Sequence, residues 1–342
     1  MASEEEDVKD RAVGCLYGQA IGDALGARYE FLTGPEASKQ VKKDRKFTGF
    51  LPILGGGKFK VVPGQVTDDT ELAMCLCRSL LERRTFDKEL AIKNYLFWFT
   101  SKNRFGIGMT TYRAFQVHYH KEGKATYDDV ARNASLHCQP SQSNGCLMRI
   151  SPLAIAGTHW TNDQLIEAAK SDCILTNPNE VTQDAVACYV CIIKSLISEG
   201  GDAQRAYEQA LATCQTDAIK NILTAARMKP APVYVQDCNS EVEVDGKMMG
   251  YCGVALQSAV YELLHSKSIQ DSLERVMRRG GDTDTTGCIT GAVMGAKLGA
   301  KAIPKQWKDT VRTARPERIK ENPFVDLSDI ESAAVDLLHC TF

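Results

Sequence analysis

The chain has 342 residues, 44% of them hydrophobic and 25% charged, an ordinary globular balance with enough length to bury a large core. A net charge of −2 supplies no global field for nucleic acid, and the sequence reads as lacking an apolar run of membrane length. The acidic start, Met1 to Arg11, has no apolar centre, so no secretory signal is expected; the thirteen cysteines, an odd number, are read as reduced thiols of a cytoplasmic protein.

Helix is the dominant period. Ser3-Glu4-Glu5-Glu6 reads as a capping box. The helix behind it carries Ala12, Val13, Leu16, Ala20, Ile21, Ala24 and Leu25, with Gly14, Gly18 and Gly22 on an adjacent stripe. Glycine inside a helix costs roughly 1 kcal/mol per residue, so three at a four-residue interval point to close helix packing. Residues 32–65 hold Gly34-Pro35, a basic run from Lys39 to Lys46, Gly55-Gly56-Gly57 and Pro63, and read as a long mobile loop of the kind that forms a lid. Helical patterns then run from Asp69 to Arg84, Lys88 to Thr100 and Met109 to His120. The last is entered through Phe105-Gly106-Ile107-Gly108, where Gly106 and Gly108 can expose amides to a phosphate. His118 and His120 point to different faces of it, which favours packed or solvated side chains over a shared metal.

Ser141-Gln142-Ser143-Asn144-Gly145-Cys146-Leu147-Met148-Arg149 is polar and glycine-bearing and leads into a helix start. Its side chains and amides suit phosphate or ribose oxygens; the alternative is a capped helix with Arg149 pairing an internal carboxylate. Thr176-Asn177-Pro178-Asn179 precedes a helix from Val181 to Ser198. Cys188 and Cys191 have CxxC spacing inside that apolar pattern and read as buried thiols rather than a zinc site. Helices from Ala203 to Cys214 and Asp217 to Met228 follow. Residues 230–250 break the pattern as a surface excursion, with a short hairpin hinted at Val242, Val244 and Asp245-Gly246. Helices from Tyr251 to His265, Ser268 to Arg279 and Ser328 to Leu338 complete the chain. No repeat, linker or composition break divides it, so residues 1–342 read as a single all-α domain.

Two acidic helix starts carry the chemistry. In Gly280-Gly281-Asp282-Thr283-Asp284-Thr285-Thr286-Gly287 the glycines break one helix and can let backbone amides approach a ligand. Asp282 and Asp284 lie two apart, so their carboxylates can converge, and Thr285 adds a hydroxyl. Thr67-Asp68-Asp69-Thr70-Glu71 repeats the pattern before the run Leu72 to Leu81. An N-cap alone accounts for one Asp before a helix. Two adjacent carboxylates repel and suggest a cation between them, and oxygen-only ligands select hard cations such as magnesium or manganese. A pair of such starts suits a two-metal site.

GDALGxxxE from Gly22 to Glu30, TDDTEL from Thr67 to Leu72 and GGDTDTTG from Gly280 to Gly287, in this order, resemble the ADP-ribosylglycohydrolase family over about Val13 to Trp307. Its members include ADP-ribosylarginine hydrolases and the bacterial enzyme that reactivates dinitrogenase reductase. The resemblance implies a compact orthogonal helical bundle around a binuclear magnesium or manganese centre. Its metal ligands would be Thr67, Asp68, Asp69, Asp282, Asp284 and Thr285. Glu30 matches an acidic residue beside the metals, as ligand or as base on a water, with Asp68 and Asp69 sharing the catalytic work; Asp23 is expected to hold a neighbouring helix end. The glycines 106 and 108 resemble part of a pyrophosphate site, and Ser143, Asn144, Gly145, Met148 and Arg149 resemble the family's NGxxMRxxPL stretch around ADP-ribose. Asn177 stands where many relatives carry histidine, which keeps a donor but loses a titratable group. The implied substrate is an ADP-ribosylated protein and the product ADP-ribose, from a chain expected to be monomeric. Arginine is the first choice of linkage, with serine-linked or ester-linked ADP-ribose as the alternative. The family's likeness to eye-lens crystallins leaves a non-catalytic or ADP-ribose-binding protein as a further reading, opposed by the intact acidic ligands.

Overall fold

The computed structural model describes residues 2–45, 49–102, 104 and 106–342, with the side chains of residues 2 and 3 left out. The cap read for Ser3, the end of the basic run at Lys46, and Phe105 therefore lie outside the described residues. Seventeen α-helices occur among the described residues. The first nine are α1 (Ala2–Gly26), α2 (Gly34–Asp44), α3 (Asp68–Arg83), α4 (Lys88–Thr100), α5 (Met109–Phe115), α6 (Val117–His120), α7 (Tyr127–His137), α8 (Ser151–Ala156) and α9 (Asn162–Cys173). They are followed by α10 (Glu180–Ser198), α11 (Ala203–Thr213), α12 (Asp217–Ala226), α13 (Cys252–His265), α14 (Ile269–Arg279), α15 (Thr283–Leu298), α16 (Lys305–Thr313) and α17 (Ile330–Leu337). A two-stranded antiparallel hairpin, β1 (Val233–Val235) with β2 (Ser240–Val242), interrupts them. The all-α expectation holds.

The glycine stripe of α1 finds its partner in a second stripe on α15. Gly14 lies against Gly295, Gly18 against Gly291 and Gly22 against Gly287, so the two helices run antiparallel. A Cβ added to Gly18 or Gly22 would stand 1.9 Å from the facing glycine carbonyl, far inside van der Waals contact. The same register sets Gly26 against Asp284. The seam therefore brings the C-terminal end of α1, and Glu30 four residues on, to the acidic start of α15. A buried carboxylate adds the third element: Asp23 accepts from the backbone N–H groups of Thr67, at 3.0 Å, and of Thr70, at 3.0 Å, and so holds the start of α3.

Around this seam α10 is the central core helix. It is long and apolar enough to cross a membrane, contrary to the reading that no such run exists, and 83% of that stretch is buried inside the protein. Cys188 and Cys191 lie in it as buried thiols, with the Cys188 thiol directed at the Ala210 carbonyl; all thirteen cysteines are free. The stretch 32–65 is not the continuous loop expected. It contains α2, whose N-terminus is closed by the Glu36 carboxylate accepting from the Thr33 amide and hydroxyl, and whose Ala37 and Val41 are buried. Beyond α2, Gly56 and Val61 exchange backbone hydrogen bonds, at 2.7 and 3.0 Å, in a tight hairpin. The excursion at 230–250 does form a hairpin, but with strands earlier than Val242–Gly246 suggested, and Val233 and Val235 are buried rather than superficial.

Candidate metal centre

Three loops converge at one end of the α1–α15 seam. Ligand atoms of Glu30, Asp282 and Asp284 all lie within 4.8 Å of one another. Asp68 and Asp69 stand beside them, at the first two positions of α3, and are buried with Asp284. The loops are stitched together by backbone: Phe31 donates its N–H to the Gly281 carbonyl at 2.8 Å, and Gly281 donates to Leu32 at 2.9 Å. The Gly280 amide bonds to Met277. These two glycines thus use their amides to shape the turn, with φ near 72° and 77°, and do not offer them to a ligand as expected.

The capping explanation fails for Asp282. It precedes α15 but makes no side-chain cap bond; its carboxylate accepts from Asn144 Nδ2 at 2.7 Å instead. At α3 the cap is Thr67, whose hydroxyl bonds the Asp69 side chain and faces its amide. That leaves the acids turned toward the cleft. Burial and then the neighbouring carboxylates of Asp69, Asp23 and Glu30 push Asp68 well above the usual carboxylate range. Burial and the charges of Asp23 and Asp282 do the same to Asp69, and burial with Glu30, Asp69 and Asp282 to Asp284. Glu30 is raised to about 8, first by burial and then by Asp282. Asp23, also buried, rises only to about 6 because the Thr67 and Thr70 groups hydrogen-bond its charged form.

A cluster of this kind fits a hard divalent cation. The donors are all oxygen, the negative charges crowd together enough to raise one another's pKa values, and two buried carboxylate oxygens, Asp69 Oδ1 and Glu30 Oε2, have no hydrogen-bond partner. The cluster forms the floor of a cleft of about 710 Å³, within the range of small-molecule sites. Of the residues singled out from sequence, Glu30, Asp68, Asp69, Gly106, Gly108, Ser143, Asn144, Gly145, Met148, Asp282, Asp284 and Thr285 all line it. Gly106 is a steric requirement: at φ 77° a Cβ there would meet Asp68 Oδ1 at 2.6 Å.

Three expected residues do not reach the cleft. Thr67 is fully buried beneath Asp69. Arg149 is fully buried, paired with Asp172 at 2.9 Å and bonded to the Gly145 carbonyl and the Thr176 hydroxyl, so the internal-pair alternative is the correct one. Asn177 is also buried and donates to the Ser143 carbonyl and hydroxyl, at 3.1 and 2.9 Å. Both residues set the shape of the 143–145 loop from behind, and a contact with ligand is corrected to a supporting role. Conversely, Phe31, Phe59, Lys247 and Met249 line the cleft without having been anticipated. Phe31 directly follows the Glu30 motif, which was the available signal; Lys247 and Met249 lie in the 230–250 segment, where no local pattern marks them.

Comparison with known proteins agrees with this geometry. The family model described as ADP-ribosylglycohydrolase matches residues 4–339. The chain is 28% identical over 300 residues to ADP-ribosyl-[dinitrogen reductase] glycohydrolase of Rhodospirillum rubrum, covering 88% of this chain and 90% of that protein. It is 26% identical over 316 residues to ADP-ribosylarginine hydrolase Tri1 of Pseudomonas putida, covering 90% and 75%. It is 23% identical over 350 residues to ADP-ribosylhydrolase ARH3 of Gallus gallus, covering 92% of each. A solved structure titled ADP-ribosylglycohydrolase-related protein complex superposes with a TM-score of 0.74 over 98% of this chain and 100% of the other, at 23% identity, and shows the same fold. With a family model spanning nearly its whole length and its acidic helix starts gathered in one cleft, the chain belongs to the ADP-ribosylglycohydrolase family, hydrolases of the glycosidic bonds of ADP-ribose.

Proposed function

We propose that this chain removes ADP-ribose from modified arginine side chains of proteins, using two divalent cations, magnesium or manganese. Asp68, Asp69, Asp282, Asp284 and Thr285 would hold the cations, and Thr67, buried behind them, orients Asp69 through its hydroxyl. The observation that carries the reading is the convergence of Glu30, Asp282 and Asp284 within 4.8 Å on the floor of the cleft, beside the buried pair Asp68 and Asp69. When bound, the cations would supply orientation of ribose hydroxyls and acidification of a water. Two relatives named ADP-ribosylarginine hydrolase support the arginine linkage. The intact carboxylates speak against a non-catalytic role, since buried like charges without cations are costly.

The chain's own residues then divide the work. Gly106 and Gly108, on the wall beside Asp68, and Ser143, Asn144, Gly145 and Met148, on the facing wall, hold ADP-ribose. Glu30, whose Oε2 lacks a partner, takes a proton from the attacking water. The water oxygen bonds to the anomeric carbon as the carbon–nitrogen bond breaks, and the electron pair leaves on the guanidine nitrogen. The proton held by Glu30 passes to that nitrogen, and the second water proton stays on the new sugar hydroxyl. Asp68 and Asp69 set negative charge beside the sugar as it becomes cationic. Residues 1–342 act as one domain in this reading, and the thirteen free thiols support a cytoplasmic setting.

The test is release of ADP-ribose from arginine-modified and serine-modified peptides, each with and without manganese or magnesium. Metal-dependent release from the arginine peptide is the expected result. Release from the serine peptide alone would replace arginine by serine as the linkage.

A further inference from the structure

The mouth of the cleft beside Glu30 is aromatic, and the reaction described above makes no use of it. Phe31 and Phe59 line it, with ring centroids 6.2 Å apart and planes at 69°. Phe31 is 41% exposed although it adjoins the carboxylate cluster, so burial alone gives its ring little reason to be there. Its backbone has φ 67°, a conformation uncommon for a bulky residue. The bonds to Gly281 and from Gly281 to Leu32 hold it. Phe59 is fixed to the same turn by the 55–61 hairpin. Arg28 Nη1 donates to the Gly55 carbonyl at 2.7 Å, and Gly57 lies so close to Ala27 that a Cβ would meet its carbonyl at 2.1 Å. A cation already rests on this surface: Lys58 Nζ is 3.9 Å from the Phe31 ring centroid, from an exposed side chain that burial does not force into place.

We propose that Phe31, with Phe59 at its edge, forms the acceptor subsite, and that its ring face receives the guanidinium of the modified arginine in place of the Lys58 ammonium. This rests on the arginine reading above and names the residues that set the linkage preference. A guanidinium is planar, always charged and weakly hydrated, and stacks on aromatic faces. A serine hydroxyl has none of these properties. The subsite lies next to Glu30, where the leaving nitrogen must emerge, so the ring acts on acceptor binding and not on the ribose chemistry.

Phe31→Leu keeps an apolar side chain and removes the π face; Phe31→Tyr restores it. In Phe31→Leu the KM for an arginine-linked ADP-ribosyl peptide rises roughly 10-fold with kcat near wild type, and Phe31→Tyr recovers it. Calorimetric affinity for free ADP-ribose stays unchanged in both variants, which also reports an intact fold. Agmatine, a guanidinium without ADP-ribose, inhibits hydrolysis of whichever linkage the wild-type enzyme cleaves, and loses that inhibition in Phe31→Leu. An unchanged KM with unchanged agmatine inhibition overturns the proposal. So does an equal loss on arginine-linked and serine-linked peptides, which would make the ring a support for Glu30. If the wild type cleaves serine linkages only, inhibition by agmatine through Phe31 leaves the cation subsite standing while the arginine reading falls. Absence of agmatine inhibition in that case overturns both.

Discussion

Glu30 sits between two demands. Without cations, burial and then Asp282 raise its pKa to about 8, so the group holds its proton at neutral pH; cations bound beside it would favour the carboxylate that a base requires. Arg45, on the basic run that follows, pairs with Glu274. Glu30→Gln is expected to cut single-turnover hydrolysis roughly 100-fold or more while ADP-ribose affinity, measured by calorimetry, changes little; near-wild-type turnover would remove Glu30 from the chemistry. The cluster also makes a pH prediction. Asp68, Asp69, Asp284 and Glu30 have folded-state pKa values raised above their unfolded ones. Their contribution to stability without metal is therefore fully present only at acid pH and is lost as pH rises through those values, up to about 8 for Glu30. The gain in Tm on adding magnesium to chelated protein should be larger at pH 8 than at pH 6, and a gain independent of pH would contradict it. Arg149 carries a contrasting expectation. Arg149→Met leaves the buried Asp172 without its cation, with only the Tyr95 hydroxyl still donating to its side chain, and should cost about 3 kcal/mol in denaturant unfolding. The acidic motifs were legible in sequence because the chemistry is local to each helix start. Arg149 and Asn177 were misplaced because a motif says which residues adjoin a site, and only tertiary burial says which way they face.

At the scale of elements, the α1–α15 seam positions the site. Gly14, Gly18 and Gly22 announced a close helix contact, but the partner stripe Gly287, Gly291 and Gly295 is nearly the whole chain away and could be paired with it only in three dimensions. The seam predicts that Gly22→Ala, whose new Cβ would stand 1.9 Å from the Gly287 carbonyl, destabilises the protein by about 2–3 kcal/mol. It should also weaken the magnesium-induced rise in Tm, because the helix ends carrying Glu30 and Asp284 are forced apart. Gly108→Ala, with open space around the position, serves as the control for stability. A Gly22→Ala protein as stable as wild type would mean that the two helices are free to separate. The helix α2 escaped the sequence reading for a related reason: Ala37 and Val41 are its only buried apolar residues. Their partner surface on α14 does the rest, so period alone was too faint among the lysines.

At the scale of the whole molecule, three segments far apart in sequence place Glu30, Asp68, Asp69, Asp282 and Asp284 on one cleft floor, an acidic cluster able to hold a metal ion. Fold class and family were readable because three motifs occur in order along the chain; the cleft's aromatic mouth and its Lys247–Met249 wall were not, because those residues carry no pattern until the chain is folded. The most direct test is a manganese titration of chelated protein, following both bound metal and release of ADP-ribose from an arginine-modified peptide, with Asp284→Asn in parallel. The account predicts two metal equivalents per chain, no release before metal is added, full release on saturation, and weakened binding with lost release in Asp284→Asn. Release that persists undiminished in excess chelator, or metal binding that Asp284→Asn leaves untouched, would contradict it.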